Sequence, residues 1–169
     1  MSRAVVVVVV GIVVVSAVQN GQFGAALVLG AGMLWWARRA RRAVTGHTHV
    51  GPVSLSARHE AGHMAAARYV GGEVTSARLY RDGSGLVQAR VPDNPRAVVT
   101  FLLAGAAAAG TDRGAEFDQA AIQEVLDRVP AAERGRVLRK ARADTDRIVS
   151  AGAEEIARNA ALLQERGRF

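Results

Sequence analysis

The chain has 169 residues, the size of one ordinary domain, which excludes a two-domain enzyme built on a large cofactor fold. It has no cysteine, so disulfide frameworks, Cys-ligated metals and thiol nucleophiles are excluded as well. Its +7 charge is uneven: residues 1–42 carry five Arg and no acid, while residues 43–169 hold 17 basic against 15 acidic residues, so a basic pI is no argument for nucleic-acid binding.

Between Arg3 and Arg38 lie 34 uncharged residues, dominated by Val5–Val10, Ile12–Val15 and Ala25–Trp36. In water such a β-branched run favours strand and aggregation. In lipid the backbone must satisfy its own hydrogen bonds and the same run becomes helical. A single helix would measure roughly 51 Å against a hydrocarbon core of about 30 Å, so two short crossings at about 4–18 and 23–37 fit better. Gln19-Asn20-Gly21-Gln22 supplies the turn between them. Trp35 and Trp36 precede Arg38-Arg39-Ala40-Arg41-Arg42 as interfacial aromatics precede a positive-inside cluster. The expectation is an anchor over 1–42 in a bacterial-type inner or plasma membrane, its Arg cluster touching lipid headgroups, with the C-terminal domain in the cytoplasm. A signal peptide ending near Val15-Ser16-Ala17 and a single tilted span are the alternatives.

Residues 43–53 read as a linker broken by Gly46, Gly51 and Pro52. His47 and His49 within it form a His-x-His pair, solvated or able to bind metal. A helix follows from Ser54 or Ser56, either of which suits an N-cap, to Val70, with Gly71-Gly72 as its stop. Val74–Tyr80 and Leu86–Val91 flank a Gly-containing turn and predict a β-hairpin. Asn94-Pro95 opens a helix to about Ala109. Another runs from Glu116 to Arg128, and residues 131–165 are helical with a bend near Gly152. Residues 54–169 are thus expected to be mainly α with a small β-hairpin. Arg134, Arg136, Arg139, Lys140, Arg142 and Arg147, interleaved with acids, describe a charged outer face of packed helices rather than a nucleic-acid site. No P-loop occurs.

His59-Glu60-Ala61-Gly62-His63 is an H-E-x-x-H motif inside a helix with a cap and a stop. Histidines four apart project from one helical face and can bind one zinc ion, and Glu60 stands beside them to take a proton from an attacking water. Charged residues through this helix exclude a membrane span. A catalytic zinc needs a third protein ligand, and no histidine remains downstream. The candidates are Glu73, Asp82, Asp93, Asp112, Glu116, Asp118 and Glu124. Spacing does not choose among them. Asp118 is favoured because it sits in the first turn of an apolar helix beside a Gly-rich break.

These features resemble the peptidase domain of FtsH-type membrane-anchored zinc metalloproteases over about residues 55–165. The middle residues of HEAGH at 59–63 are the family's own, and Leu103–Ala108 resembles its helix of small residues. Gly114-Ala115-Glu116-Phe117-Asp118 resembles its G-A-x-N-D stretch, and Val74–Arg81 its substrate-side strand. The resemblance implies a zincin-like helical peptidase fold, His59, His63 and Asp118 as zinc ligands and Glu60 as catalytic base. Three departures accompany it. The ATPase module between anchor and peptidase is missing, Phe117 replaces the usual Asn, and Ser84-Gly85-Leu86-Val87 differs from the family's Gly-x-Ala-Leu-Gly. The expected activity is ATP-independent, zinc-dependent hydrolysis of peptide bonds in unfolded or flexible protein segments, alone or beside a separate ATPase, and the family's ring assembly implies homo-oligomers. A membrane-tethered peptidase-fold adaptor with weak or lost turnover is the alternative.

Overall fold

A computed structural model describes residues 5–9, 12–14, 53–80, 82–112 and 114–169. Helix α1 spans Leu55–Tyr69 and begins where the sequence supplies a cap: the Ser54 hydroxyl accepts from the Ala57 N–H at 3.1 Å. Strands β3 (Glu73–Leu79) and β4 (Gly85–Pro92) form the antiparallel hairpin, with Arg78 opposite Leu86. Helix α2 (Pro95–Ala109) is capped by the Asn94 carboxamide, which accepts from the Ala97 N–H at 2.9 Å. It ends on Gly110 at φ 69°, a left-handed turn that glycine enters without a Cβ clash. Helices α3 (Glu116–Asp127), α4 (Ala131–Ala151) and α5 (Ala153–Arg166) complete the described helices. The described residues are therefore mainly helical with an antiparallel hairpin.

The helices pack because α1 and α2 are built from small residues. A Cβ on Gly62 would lie 2.3 Å from the Ala104 carbonyl oxygen and 2.6 Å from the Ala108 Cβ, so the two backbones approach closely there. Around this crossing lie Met64, Phe101, Leu102, Val87 and Leu163, each almost fully buried. The hairpin contributes Ala77, Val87 and Ala89 to the same core. Helix α4 is fastened to α2 by a two-pronged ion pair, Arg96 Nε and Nη2 to Asp144 at 2.6 and 2.7 Å. Beyond α5 the chain runs along β3: the Phe169 N–H donates to the Ala77 carbonyl at 2.8 Å, and the Leu79 N–H to the Gly167 carbonyl at 2.9 Å.

Two differences from the sequence reading have physical reasons. The bend near Gly152 is a break between α4 and α5, with Gly152 ending one helix and beginning the next. Its missing Cβ would meet the Ile148 carbonyl oxygen at 2.6 Å, so glycine permits the close turn. At the N-terminus, Val5–Val9 (β1) and Ile12–Val14 (β2) are extended, the preference of β-branched residues away from lipid. β1 pairs antiparallel with β4, Val7 opposite Arg90, giving the strand order β2-β1-β4-β3. Residues 15–52, with most of the expected anchor, the linker, His47 and His49, lie outside the described residues. No helix among the described residues is long and apolar enough to cross a membrane.

Candidate metal centre

Helix α1 places His59 and His63 on one face, one turn apart, with ring centroids 4.7 Å apart and Nε2 atoms 3.0 Å apart. Helix α3 supplies the third group. Asp118 stands three residues past the N-cap position of α3, where an acid ordinarily serves its own helix end. Here it turns inward instead. Its Oδ2 lies 3.0 Å from His59 Nε2 and 3.3 Å from His63 Nε2, and the three residues are 3%, 8% and 0% exposed respectively.

This triangle fits a metal ion. Bonds of about 2.0 Å in tetrahedral geometry separate neighbouring donor atoms by about 3.3 Å, close to all three observed separations. His63 Nδ1 donates to the Phe101 carbonyl oxygen at 2.8 Å, which turns the Nε2 lone pair toward His59 and Asp118. Such an outer hydrogen bond orients metal-binding histidines generally. Asp118 Oδ1 and Glu60 Oε2 are buried without a hydrogen-bond partner, a costly condition unless something else satisfies them. Two imidazoles and a carboxylate, with no thiolate, suit a first-row transition ion better than calcium or magnesium. His59, His63 and Asp118 therefore form a buried group that can hold a metal ion.

Electrostatics of the metal-free group follow from its burial. Burial alone would depress the His63 imidazolium, but the Asp118 charge and hydrogen bond outweigh it, helped by Glu60 and the Phe101 carbonyl, and raise it to about 9. Burial opposes ionisation of Asp118 too, yet the two histidines hold its carboxyl down to about 2. Glu60, 3% exposed, is pushed up to about 7 chiefly by burial, with His63 opposing and Asp118 reinforcing the rise.

The other candidate acids lie elsewhere. Glu73 pairs with Arg90 at 3.7 Å, and Asp82 accepts from the Ser84 N–H and hydroxyl in the hairpin turn. Glu124 pairs with Arg128 on the α3 surface, Glu116 accepts from the Gly114 N–H, and Asp93 and Asp112 are exposed. Three contributors escaped the sequence reading: the Phe101 carbonyl, Gly85 and Gly105. A Cβ on Gly85 would fall 2.4 Å from Glu60 Oε1, so the start of β4 lies directly against that carboxyl group. Gly105 similarly abuts both imidazoles.

Comparison of the chain with protein-family profiles, characterised proteins and solved structures gives no significant match.

Proposed function

We propose that this chain is a membrane-anchored zinc metalloendopeptidase of the FtsH type, acting on unfolded or flexible protein segments without ATP hydrolysis of its own. The observation that supports it most is the convergence of His59, His63 and Asp118, one residue along α1 from a buried carboxyl group with no hydrogen-bond partner on Oε2. The HEAGH and Gly114–Asp118 motifs support the family, and the apolar, Arg-flanked N-terminus supports a membrane location with the catalytic domain in the cytoplasm.

In this reading His59, His63 and Asp118 hold zinc, which when bound polarises the substrate carbonyl and acidifies the attacking water. Glu60 takes the proton from that water and delivers it to the departing amine. The Phe101 carbonyl keeps the His63 ring from rotating. With the N-terminal segment in the membrane, the side of β4 that pairs here with β1, from Val5 opposite Pro92 to Val9 opposite Gln88, would be open to an extended peptide.

Glu60→Gln should retain stoichiometric zinc and lose cleavage of a disordered protein by about 10²–10⁴-fold. Cleavage at the wild-type rate overturns the reading, and so does ATP-dependent cleavage by this chain alone. The adaptor alternative is favoured by one feature. Phe117, beside Asp118, is 66% exposed, an apolar side chain open to contact with a partner. Full zinc occupancy with no cleavage of any unfolded substrate selects it.

A further inference from the structure

We propose that Gly105 is a positioning residue for the metal: its missing side chain on α2 keeps open the space in which His59 Nε2 and His63 Nε2 face one ion. This deepens the metal-binding part of the function proposed above and rests on it. A Cβ at position 105 would lie 2.3 Å from His63 Nε2, 2.6 Å from His59 Nε2 and 2.8 Å from His59 Cδ2. All three nearest atoms belong to the imidazoles. That separates Gly105 from Gly62, whose Cβ would meet the backbone and a methyl group of the facing helix. Gly62 answers to helix packing, and Gly105 to the two rings.

Nothing in the backbone asks for glycine at 105. It lies inside α2, away from the glycines with positive φ, and Ala104 and Ala106–Ala109 surround it. Alanine is the better helix former, so α2 would gain from a methyl group there. The ring nitrogens would have to retreat by about 1 Å to reach ordinary contact with a Cβ. Metal-ligand distances tolerate about ±0.2 Å, so such a retreat breaks the donor triangle even where the fold absorbs it.

The test is a zinc titration of the full chain against a competing chromophoric chelator, for wild type and Gly105→Ala, with thermal unfolding of both metal-free proteins. Gly105→Ala should bind zinc about 10- to 100-fold more weakly, as disturbed ligand shells do. Zinc binding at wild-type affinity by Gly105→Ala overturns the assignment while leaving the site itself intact. No zinc binding by wild type overturns the site. Should Gly105→Ala fail to fold, the same change is made in a His59→Ala/His63→Ala background. A loss of Tm confined to the histidine-containing background supports the assignment. An equal loss in both shows a packing glycine and overturns it.

Discussion

Asp118 Oδ2 stands 3.0 Å from His59 Nε2 across 59 residues of sequence, and the other carboxylate oxygen is buried without a partner. An acid in that position is either the third ligand or the charge partner of a protonated His63. Asp118→Ala should therefore weaken zinc binding by more than about 100-fold, beyond the loss usual for an outer hydrogen-bond partner, and abolish cleavage with it. Glu116→Ala, two residues away and exposed, should leave both unchanged. Inductively coupled plasma measurement of zinc with a casein-cleavage assay checks this, and loss on Glu116→Ala instead moves the ligand.

The same cluster sets opposite pH dependences for the metal-free and metal-bound protein. His63, raised to about 9, contributes stability that is full below its unfolded value of about 6.5 and lost as pH rises through 9. Glu60, raised to about 7, acts in the same sense from about 4.5 upward. Asp118, held down to about 2, loses its contribution only as the solution becomes strongly acid. Tm of the chelator-treated protein should thus fall from about pH 6 to about pH 9. Zinc affinity should rise over that range, because binding must displace the His63 proton. A metal-free Tm that climbs with pH contradicts the assigned pairing of His63 with Asp118.

What could be read from sequence was what local chemistry controls. Ser54 and Asn94-Pro95 begin helices and Gly110 ends one where their side chains or backbone freedom demand. His59 and His63 share a face because a helix repeats every 3.6 residues. Asp118 depended on how α3 packs, so spacing left seven acids open and its apolar surroundings made it the favoured one. The Phe101 carbonyl was invisible because a backbone oxygen has no residue signature. Gly105 did carry a signal, a glycine set among alanines, that helix propensity alone does not explain. The strand pairing of Val5–Val9 reflects a conflict that composition cannot resolve, since the same residues prefer strand in water and helix in lipid.

Helix α5 tests whether the last described helix belongs to the folding unit. Leu163 is fully buried in the core shared with α1 and α2. Leu163→Ala should destabilise the domain by about 2–5 kcal/mol, combining lost burial with the cavity left behind. Zinc stoichiometry at low temperature should be unchanged, because none of the three ligand groups comes from α5. Denaturant unfolding of the metal-free protein gives the first quantity, and a shift within error places α5 outside the cooperative core.

Gly85 offers a way to move the base without touching the ligands. A methyl group there would meet Glu60 Cγ and Oε1 at 2.4 Å and Cδ at 2.7 Å. Its backbone lies outside the set of positive-φ glycines, so alanine fits the strand and the flexible end of Glu60 is what yields. A displacement of about 1 Å in a reacting group can lower a rate about 10²-fold. Gly85→Ala should therefore lower kcat by about that factor, with KM and zinc content close to wild type. Adding Gly85→Ala to Glu60→Gln should cause no further loss, since the carboxylate it displaces is already gone. An additional fall in the double variant would mean that Gly85 acts on the substrate strand rather than on Glu60.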